Sequence, residues 1–406
     1  ENQLWKNCRR LYAGQKWKSL NIHPWLKRKR IRYHWHHETH ARAGFYTSPF
    51  DEATVLVVDA IGEFNTSSVW HATPNVLSKL WCENYPSSLG LFYSAITHRV
   101  GLKPNEEEYI LMGMAAYGDP YKYYKQMKPL LIENLHKGCR WWLPGEQGEQ
   151  VDYDMAASAQ MIYEEEFEKL LKHAKLHTPS NNLVLMGGCA LNCVANNLAL
   201  KHFDNVWIMP APGDAGSSLG AALDKKVEWK GPYLGHNIEG EYPIEEVMGQ
   251  LRKGRMIGVA NGRAEFGPRA LGNRTLFADP RGIQVKDQVN EIKRRQKFRP
   301  FAPVIMEEHA HKIFNMPVAS SPYMQYVVAC TKPTEYPAIV HKDGTSRVQT
   351  VNKYQHEGLY RLLQTWYEET GCPMLLNTSL NIKGKPMVNT REDGYEFQRK
   401  YRIKVA

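Results

Sequence analysis

Residues 183–192 read LVLMGGCALN, an apolar run that ends in a glycine-rich turn. The run predicts a buried strand over 183–186, and the turn predicts a helix after it. The same order returns at 206–220 in VWIMPAPGDAGSSLG, with a strand over 206–209 and a helix beginning near Gly216. Repeated strand, glycine-rich turn and helix are typical of an α/β fold, in which the carboxyl ends of the strands gather a ligand.

Four side chains, one of which lies in the second glycine-rich turn, suit a metal ion. His36 and His40 stand four residues apart in HHETHA, and on a helix such a pair shares one face. The apolar run 55–58 ends in Asp59, and the second glycine-rich turn contains Asp214. Two imidazoles and two carboxylates suit a borderline divalent cation, so the pattern predicts a site for Fe(II), Zn or Mn.

Size and composition set the class of protein. With 406 residues the chain exceeds the usual size of one core, so two domains are expected. No stretch approaches the roughly 20 uninterrupted apolar residues of a membrane span. The seven cysteines are odd in number and lie mostly in apolar runs, which favours a reducing compartment. We therefore expect a soluble, cytoplasmic protein without a membrane partner.

The positive charge lies mainly at the beginning of the chain. The net charge is +10, and residues 1–35 hold ten Lys or Arg against the single acid Glu1. Interleaved Trp and Tyr residues would suit stacking on nucleic acid, whereas a solvated basic helix with aromatic anchors would explain the same pattern. This segment resembles the middle of a protein whose natural beginning is missing.

The pattern of apolar positions divides the chain at a turn-rich interval. We predict a first domain over 1–225, a linker over 226–243 and a second α/β domain over 244–406. The elements expected around the predicted turns are a strand over 53–58 with its hairpin partner over 65–73, helices over 88–99, 152–175 and 244–253, and strands over 256–260 and 374–376.

The second domain is rich in cations placed beside glycine and proline. Arg269, Arg274 and Arg347 each lie in a constrained turn, and Lys293 and Arg299 lie in the basic run 293–299. A surface helix would explain the basic run equally well, but it does not explain the three arginines in turns. Guanidinium groups bind phosphate oxygens bidentately, so the pattern predicts an anion pocket. Donors for a carbonyl or phosphate oxygen are expected from Asn377 and Ser379, after the strand over 374–376.

From about His36 to Asp393 the chain resembles the carbamoyltransferases of the nodulation-factor and antibiotic type, the NodU/CmcH family. The segments that carry the resemblance are HHETHA (36–41), VLVVDAIGE (55–63), PSSLGLFYSAIT (86–97), EYILMGMAAYG (108–118), GGCALNCVANN (187–197), PAPGDAGSSLGAAL (210–223), GRAEFGPRALGNR (262–274), KFRPFAPVI (297–305), HKDGTSRVQT (341–350) and NTSLN (377–381).

The resemblance implies a Kae1-like upstream domain, of the actin and sugar-kinase fold and lacking its usual start, and a YrdC-like downstream domain. It implies that the downstream pocket forms carbamoyl-adenylate from ATP and carbamoyl phosphate, and that the upstream domain transfers the carbamoyl group beside a metal ion, across a tight interface. The implied metal ligands are His36, His40, Asp59 and Asp214. The implied nucleotide-site residues are Gly187, Gly188, Asn192 and Gly216. The implied activation residues are Arg269, Arg274, Lys293, Arg299, Arg347, Asn377 and Ser379.

Three departures from the family pattern bear on these expectations. The usual opening strand with its His-Asp turn does not precede the matched segments, so no general base is assigned. Ile110 stands where relatives have Lys, and residues 398–406 are more basic than the usual apolar final strand.

The expected partners are ATP, carbamoyl phosphate and a small-molecule acceptor with a hydroxyl or amine. A carbamoyltransferase that modifies tRNA or DNA, a catalytically idle nucleotide- or nucleic-acid-binding protein, and a homodimer remain open.

Overall fold

The computed structural model describes residues 33–142, 148–293, 295–296, 298–299, 301–382 and 384–406. Residues 1–32, which hold most of the basic segment, lie outside these ranges, so the nucleic-acid and missing-start expectations are not tested. Within the described ranges the chain forms two mixed five-stranded sheets, each covered by helices. This confirms an α/β fold with two domains.

The part built on the first sheet is called the upstream lobe. Its strands are β1 Ala53–Gly62, β2 Asn65–Thr73, β3 Val76–Asn84, β4 Asn182–Met186 and β5 Asn205–Trp207. Its α-helices are α1 His36–Thr47, α2 Leu89–Arg99, α3 Glu108–Met114, α4 Tyr124–Met127, α5 Glu149–His177 and α6 Asp214–Ala222. Its 3₁₀ helices are Ala115–Tyr117, Lys128–Ile132, Leu135–Lys137, Gly188–Leu191 and Ala195–Lys201.

Strand β1 lies at the centre of this sheet, whose order is β3-β2-β1-β4-β5. It pairs antiparallel with β2 and parallel with β4. Its side chains alternate between two cores: Val55 and Val57 pack beneath α1, whereas Leu56 and Val58 pack beneath α2 and α5. A strand buried on both faces needs apolar residues at every position, which explains the uninterrupted run before Asp59.

The segment after the first glycine-rich turn differs from the prediction. No α-helix follows β4; the chain forms the two short 3₁₀ helices instead. Asn192 Oδ1 accepts a hydrogen bond from Ala195 N, and Asn196 Nδ2 donates to Ala190 O. Such local side-chain bonds to the backbone compete with the α-helical ladder, so the apolar spacing alone predicted the wrong helix type.

The part built on the second sheet is called the downstream lobe. Its strands are β6 Tyr233–Ile238, β7 Ile257–Ala260, β8 Gly262–Glu265, β9 Arg274–Ala278, β10 Ala302–Met306, β11 Val327–Ala329, β12 Thr345–Arg347, β13 Gln349–Val351 and β14 Met374–Ser379. Its helices are α7 Ile244–Leu251, α8 Ile283–Ile292, α9 Glu307–Ile313, α10 Glu357–Thr370 and α11 Arg391–Tyr401. The five-stranded sheet has the order β13-β10-β14-β9-β7, and it contributes to one large apolar core.

The interval predicted as a linker contains strand β6, which pairs antiparallel with β8. Four consecutive residues of β6, 234–237, are exposed. An apolar alternation is therefore missing, and sequence periodicity could not reveal this strand. The domain limits at 225 and 243 stay predictions.

The two ends of the described chain are placed differently. Residues 404–406 pair beside β7, where Gly258 N donates to Lys404 O at 2.9 Å and Ala260 N donates to Ala406 O at 2.8 Å. At the upstream end, α1 begins at His36, three residues after the first described residue. None of the helices in the described ranges combines the length and the apolar character that crossing a bilayer requires.

Hydrogen bonds join the two lobes along the 3₁₀ segment of the upstream lobe. Cys193 O accepts from Val327 N at 3.1 Å, and Asn197 Nδ2 donates to Val327 O at 2.7 Å. Asn196 Nδ2 also donates to Gln325 O at 3.0 Å. The glycine-rich turn is therefore anchored directly to the downstream lobe.

Candidate active site

Helix α1 presents His36 and His40 on one face toward the end of β1. The helix has no side-chain cap on Trp35, and the Glu63 carboxylate accepts from His36 N instead, at 3.1 and 3.2 Å. Because Glu63 follows β1, this bond fixes the start of the helix beside the strand end. His37, one residue along, points elsewhere and bonds Ser68 Oγ at 2.7 Å, and burial lowers its pKa to about 3.

The structure brings all four predicted metal ligands together. One donor atom from each of His36, His40, Asp59 and Asp214 lies within 4.8 Å of the others. Asp59 Oδ2 lies 3.1 Å from both Nε2 atoms, and Asp214 Oδ1 lies 3.3 and 3.4 Å from them. Donors about 2.0–2.1 Å from one ion are separated by about 3.0–3.4 Å when they are neighbours in its coordination shell. The donor set therefore fits a single divalent cation.

The contact between the two imidazoles supports the same conclusion. His36 Nε2 and His40 Nε2 are 3.0 Å apart. Two protonated nitrogens at this distance repel each other, whereas two lone pairs at this distance can share a cation. Two imidazolium ions with two carboxylates carry no net charge, and a divalent cation that replaces both protons leaves that charge unchanged. His40 Nδ1 has no hydrogen-bond partner in the described part of the chain.

Without a cation, the carboxylates hold protons on the imidazoles. Hydrogen bonds to Asp214 and then to Asp59 raise the pKa of His36 to about 10. Burial lowers the pKa of His40, but its bonds to Asp214 and Asp59 outweigh burial and raise the pKa overall. The bond to His36 lowers the pKa of Asp214 to about 2, and burial of Asp59 is outweighed by its two histidine bonds, so its pKa is also lowered. A metal ion would therefore have to displace these protons to bind here.

Three predicted glycines allow close backbone approach around this cluster. A Cβ at Gly187, which has a φ of +90°, would lie 2.1 Å from Val58 O, and one at Gly216 would lie 1.7 Å from Ala211 O. At Gly188 it would lie 3.3 Å from Asp59 Oδ1. A side chain at Gly216 would collide with the turn that precedes α6, so glycine is needed there for packing within the protein. The prediction that these residues bind nucleotide stays a prediction.

Gly220, which the sequence interpretation left out, brings α6 against α1. A Cβ at Gly220 would lie 1.8 Å from Thr39 O. This contact sets the distance between the helix that carries both histidines and the helix that begins with Asp214. The position could have been suspected from the spacing of Gly216 and Gly220 on one helix face.

Asn192 lies in a buried polar network. Its Nδ2 donates to Gln160 Oε1 at 3.1 Å, and Tyr93 OH donates to the same oxygen at 2.7 Å. The side-chain amide is thereby held in one orientation against α5. A ligand would meet Asn192 in an already fixed position.

Three predicted arginines form a cationic cluster at the junction of the lobes. Burial, and then the charge of Arg347, lower the pKa of Arg269 to about 9. Burial also lowers the pKa of Arg299, with a smaller contribution from Arg347. Among the described residues, no carboxylate forms an ion pair with these three side chains. Guanidinium groups keep their protons at neutral pH, so the positive charges of these arginines repel one another. A bound anion would relieve this repulsion.

Arg295 is a member of this cluster that the prediction did not single out. Burial, and then Arg299, lower its pKa to about 8, and its guanidinium Cζ lies 4.0 Å from the centre of the Phe301 ring. The basic run that contains it was quoted in the sequence, but periodicity could not show that Arg295 faces the cluster.

Arg274 is a correction to the predicted pocket. Its side chain has no exposed surface, and its terminal nitrogens donate to the backbone carbonyls of Asn261, Gly262, Asn273, His236 and Asn389. Because these carbonyl groups occupy both terminal nitrogens and the side chain is enclosed, Arg274 fastens the surrounding backbone. Its turn resembled that of Arg269 in sequence, but Arg274 begins β9 and points into the lobe.

Lys293 and Ser379 lie together, whereas Asn377 is used inside the lobe. Lys293 Nζ donates to Ser379 O at 2.6 Å and to Asn381 Oδ1, and burial, followed by Arg295 and Arg299, lowers its pKa to about 7. Ser379 Oγ donates to Asn381 Oδ1 at 2.8 Å. Asn377 Nδ2 donates to Ala270 O and Gln349 Oε1, and its Oδ1 is buried without a partner. Both predicted donors lie within β14 and not after it.

The loop that carries Arg269 is held by a buried carboxylate, Glu265, which sequence reasoning missed. Glu265 Oε1 accepts from the backbone N–H groups of Leu271, Asn273 and Arg274 at 2.8–3.1 Å. A Cβ at Gly267 in this loop would lie 2.5 Å from Pro210 O, in the turn that leads to Asp214. The arginine loop of the downstream lobe therefore packs on the metal-ligand turn of the upstream lobe.

Comparison with known proteins assigns this pair of sites to a family. The family described as "Carbamoyltransferase N-terminus" matches residues 10–141 and 132–223, and "Carbamoyltransferase C-terminus" matches residues 248–406. The chain belongs to the carbamoyltransferase family. It is thus a carbamoyl-transferring enzyme of the NodU/CmcH type, as the resemblance implied.

Three relatives illustrate the similarity of this carbamoyltransferase to known proteins. It is 32% identical to nodulation protein NolO of Bradyrhizobium diazoefficiens, over 88% of this chain and 74% of that protein. It is 34% identical to protein sll1178 of Synechocystis, over 89% of this chain and 72% of that protein. It is 33% identical to the 3'-hydroxymethylcephem-O-carbamoyltransferase of Amycolatopsis lactamdurans, over 70% of this chain and 60% of that protein.

One departure from the family pattern can be located in this carbamoyltransferase. Ile110 is buried, with 3% of its surface exposed, in the core beneath α2 and α5. An apolar residue is therefore compatible with this position of the fold. The polar contact that a lysine would make is absent here.

Proposed function

We propose that this carbamoyltransferase forms carbamoyl-adenylate from ATP and carbamoyl phosphate in its downstream lobe and transfers the carbamoyl group to a small-molecule acceptor in its upstream lobe. The observation that carries the proposal is the cluster of Arg269, Arg299 and Arg347 without paired carboxylates, beside the turn that contains Asp214. A Kae1-like upstream fold, a YrdC-like downstream fold and a cytoplasmic location form part of the same proposal.

The arginine cluster suits the activation step. ATP and carbamoyl phosphate are both polyanions, and bringing them together requires fixed positive charge. Hydrolysis of carbamoyl phosphate by one water molecule releases inorganic phosphate and carbamate. The carbamate oxygen then attacks the α-phosphorus of ATP, and the bond to the departing pyrophosphate breaks. The product carries AMP as a leaving group, which makes a poor electrophile reactive. Lys293, with its lowered pKa, lies beside Ser379 and Asn381 on the same side of the lobe.

The four-ligand cluster suits the transfer step. His36, His40, Asp59 and Asp214 would hold the divalent cation, and a cation bound there supplies electrophilic stabilisation of phosphate charge. The acceptor oxygen or nitrogen forms a bond to the carbamoyl carbon, the bond to AMP breaks, and the acceptor proton is released. Asp214, whose side chain is 76% exposed, lies on the accessible side of the cluster.

A hydroxyl on a small molecule is the acceptor that we favour. The relative from Amycolatopsis lactamdurans is named for O-carbamoylation of a hydroxymethylcephem. The alternative of nucleic-acid modification rests on the Kae1/YrdC pairing and on the basic residues 1–35, of which residues 1–32 lie outside the described ranges.

The two sites can be tested separately because they lie on different lobes. The first measurement is pyrophosphate release from ATP, with and without carbamoyl phosphate. We expect release to require carbamoyl phosphate, to be abolished by Arg347→Ala and to be retained by Arg263→Ala, which removes an exposed arginine from the same lobe. Carbamoyl-phosphate-independent release, or normal release by Arg347→Ala, would contradict the proposal.

The second measurement is metal content and carbamoyl transfer in His40→Ala. We expect the variant to lose bound metal and transfer while it retains pyrophosphate release. His177→Ala, which removes an exposed imidazole from the same lobe, is the control. Mass spectrometry of candidate acceptors should detect a gain of about 43 mass units, one carbamoyl group in place of a hydrogen. Unchanged metal content in His40→Ala would exclude the proposed ligands.

A further inference from the structure

We propose that Tyr109 of the upstream lobe is a positioning residue of the downstream cationic cluster, where it holds the Arg299 guanidinium in place for a phosphate-bearing ligand. This inference rests on the proposed function for the identity of the ligand. The contacts that carry it are independent of that identity.

The first observation is the direct contact between Tyr109 and Arg299 across the junction of the lobes. The Arg299 Cζ atom lies 4.8 Å from the centre of the Tyr109 ring. A planar guanidinium that lies over an aromatic ring has little freedom to turn away from it.

Helix α3 explains why Tyr109 reaches the other lobe. Ile110 and Leu111 are buried in the upstream core, with 3% and 0% of their surface exposed, and they anchor the helix. Tyr109 precedes them and is 41% exposed. A large aromatic side chain that leaves its own core and meets the arginine of another lobe is not needed for the packing of α3.

The chemistry of tyrosine suits an anion site better than a carboxylate would. A carboxylate bound to Arg299 would fix the guanidinium but cancel its charge. An aromatic ring fixes it while the positive charge remains available to a ligand. Tyr109 also lies within electrostatic range of Arg269 and Arg295, so its side chain is near three members of the cluster.

Neighbouring contacts fasten the same loop to the upstream lobe. Tyr117 OH donates to Phe298 O at 3.2 Å, and the two rings are 5.6 Å apart. Tyr153 contacts the Phe298 ring at 5.9 Å. Because Phe298 directly precedes Arg299, the orientation of this arginine depends on the apposition of the lobes. The activation pocket is therefore complete only when the upstream lobe is in place.

The experiment compares Tyr109→Phe and Tyr109→Ala with the wild-type chain. Binding of inorganic pyrophosphate is measured by calorimetry at fixed salt, and the melting temperature is measured in parallel. Tyr121→Ala is the matched control, because Tyr121 is 71% exposed in the same lobe. We expect Tyr109→Ala to bind pyrophosphate about 10-fold more weakly, equivalent to about 1.4 kcal/mol. Tyr109→Phe, which keeps the ring, should retain most of the affinity, and Tyr121→Ala should retain all of it.

A kinetic measurement separates positioning from general stability. We expect Tyr109→Ala to raise the KM for carbamoyl phosphate about 10-fold with a smaller change in kcat, and Tyr109→Phe to restore most of the loss. Equal pyrophosphate affinity in the wild type and Tyr109→Ala would overturn the inference, as would a wild type that binds no pyrophosphate. If Tyr109→Ala does not fold, Tyr109→Leu, which removes the aromatic ring but keeps apolar bulk, takes its place: about 10-fold weaker pyrophosphate binding supports the inference, and unchanged binding overturns it. If Tyr109→Ala binds pyrophosphate more weakly but the wild type never releases pyrophosphate from ATP, the inference is supported and the proposed function is rejected.

Discussion

Replacement of Arg274 by Met tests whether this arginine is structural, as its surroundings indicate. Nη1 donates to Asn261 O, Gly262 O and Asn273 O at 2.8–3.1 Å, and Nη2 donates to His236 O and Asn389 O at 2.9 and 3.1 Å. Methionine fills a similar volume but leaves these carbonyl groups without their donor. Each bond from a charged donor contributes about 1.5–3 kcal/mol, but such bonds are not additive within one network.

The expected cost follows from the burial of the whole group. Each buried carbonyl left without a donor costs about 1–3 kcal/mol; because these costs do not add fully within one network, we expect a total of about 3–5 kcal/mol for Arg274, which has no exposed surface. For a lobe of this size, 1 kcal/mol shifts the melting temperature by about 2–4 °C, so we expect a decrease of about 6–20 °C. Circular dichroism and tryptophan fluorescence during heating and in urea would measure it. Arg269→Met, which removes a cluster arginine without such carbonyl contacts, should melt close to the wild type.

The contrary result is easily recognised. An Arg274→Met variant that melts with the wild type but no longer binds pyrophosphate would show that the guanidinium faces the ligand. The structural role would then be wrong, and the original prediction from the sequence would be right.

Three further predictions concern the packing, the protonation and the loop geometry of the sites. Gly220→Ala should lower the free energy of unfolding by about 1–3 kcal/mol and weaken metal binding, because the new Cβ would collide with Thr39 O. Gly249→Ala is the control: its Cβ would lie in open space, so urea unfolding should show a neutral effect or a stabilisation of up to about 1 kcal/mol. In metal-free protein, the pKa of His36 is raised from 6.5 to about 10, so its stabilising contribution is complete below pH 6.5 and is lost as the pH rises toward 10. The difference in the free energy of unfolding between the wild type and His36→Gln should therefore shrink over that range. A difference that grows would contradict the assignment. Glu265→Gln should reduce stability by about 1–3 kcal/mol through weaker bonds to three backbone N–H groups, and an unchanged urea midpoint would show that the loop does not depend on the carboxylate.

The metal cluster was accessible from the sequence because each ligand had a local signal. A helical i, i+4 spacing places His36 and His40 on one face, and an acid at the end of an apolar run marks Asp59, although β1 continues past it to Gly62 where the sequence predicted a strand ending at residue 58. Asp214 follows from the same rule in the second glycine-rich turn. The rule places them at the same end of the sheet, but only the packing of α6 on α1 through Gly220 brings Asp214 to 3.3 and 3.4 Å from the two imidazoles.

The activation pocket was less accessible because its arginines have no common periodicity. Arg269 and Arg274 are five residues apart in one glycine-rich segment, yet one faces the junction of the lobes and the other is enclosed by carbonyl groups. The difference arises because Arg274 enters β9 and its side chain follows the pleat of that strand. Tyr109 carried no local signal at all, since its partner Arg299 is 190 residues away.

The sequence by itself determined the α/β class, the family and the four candidate metal ligands, because apolar runs, turn glycines and residue spacing are local properties of the chain. The tertiary structure alone decided which cations remain available to an anion, which glycines serve packing, and which residues of one lobe contact the site of the other. Those outcomes depend on contacts between distant segments, and burial of a polar group has a low cost only where the folded backbone supplies its partners.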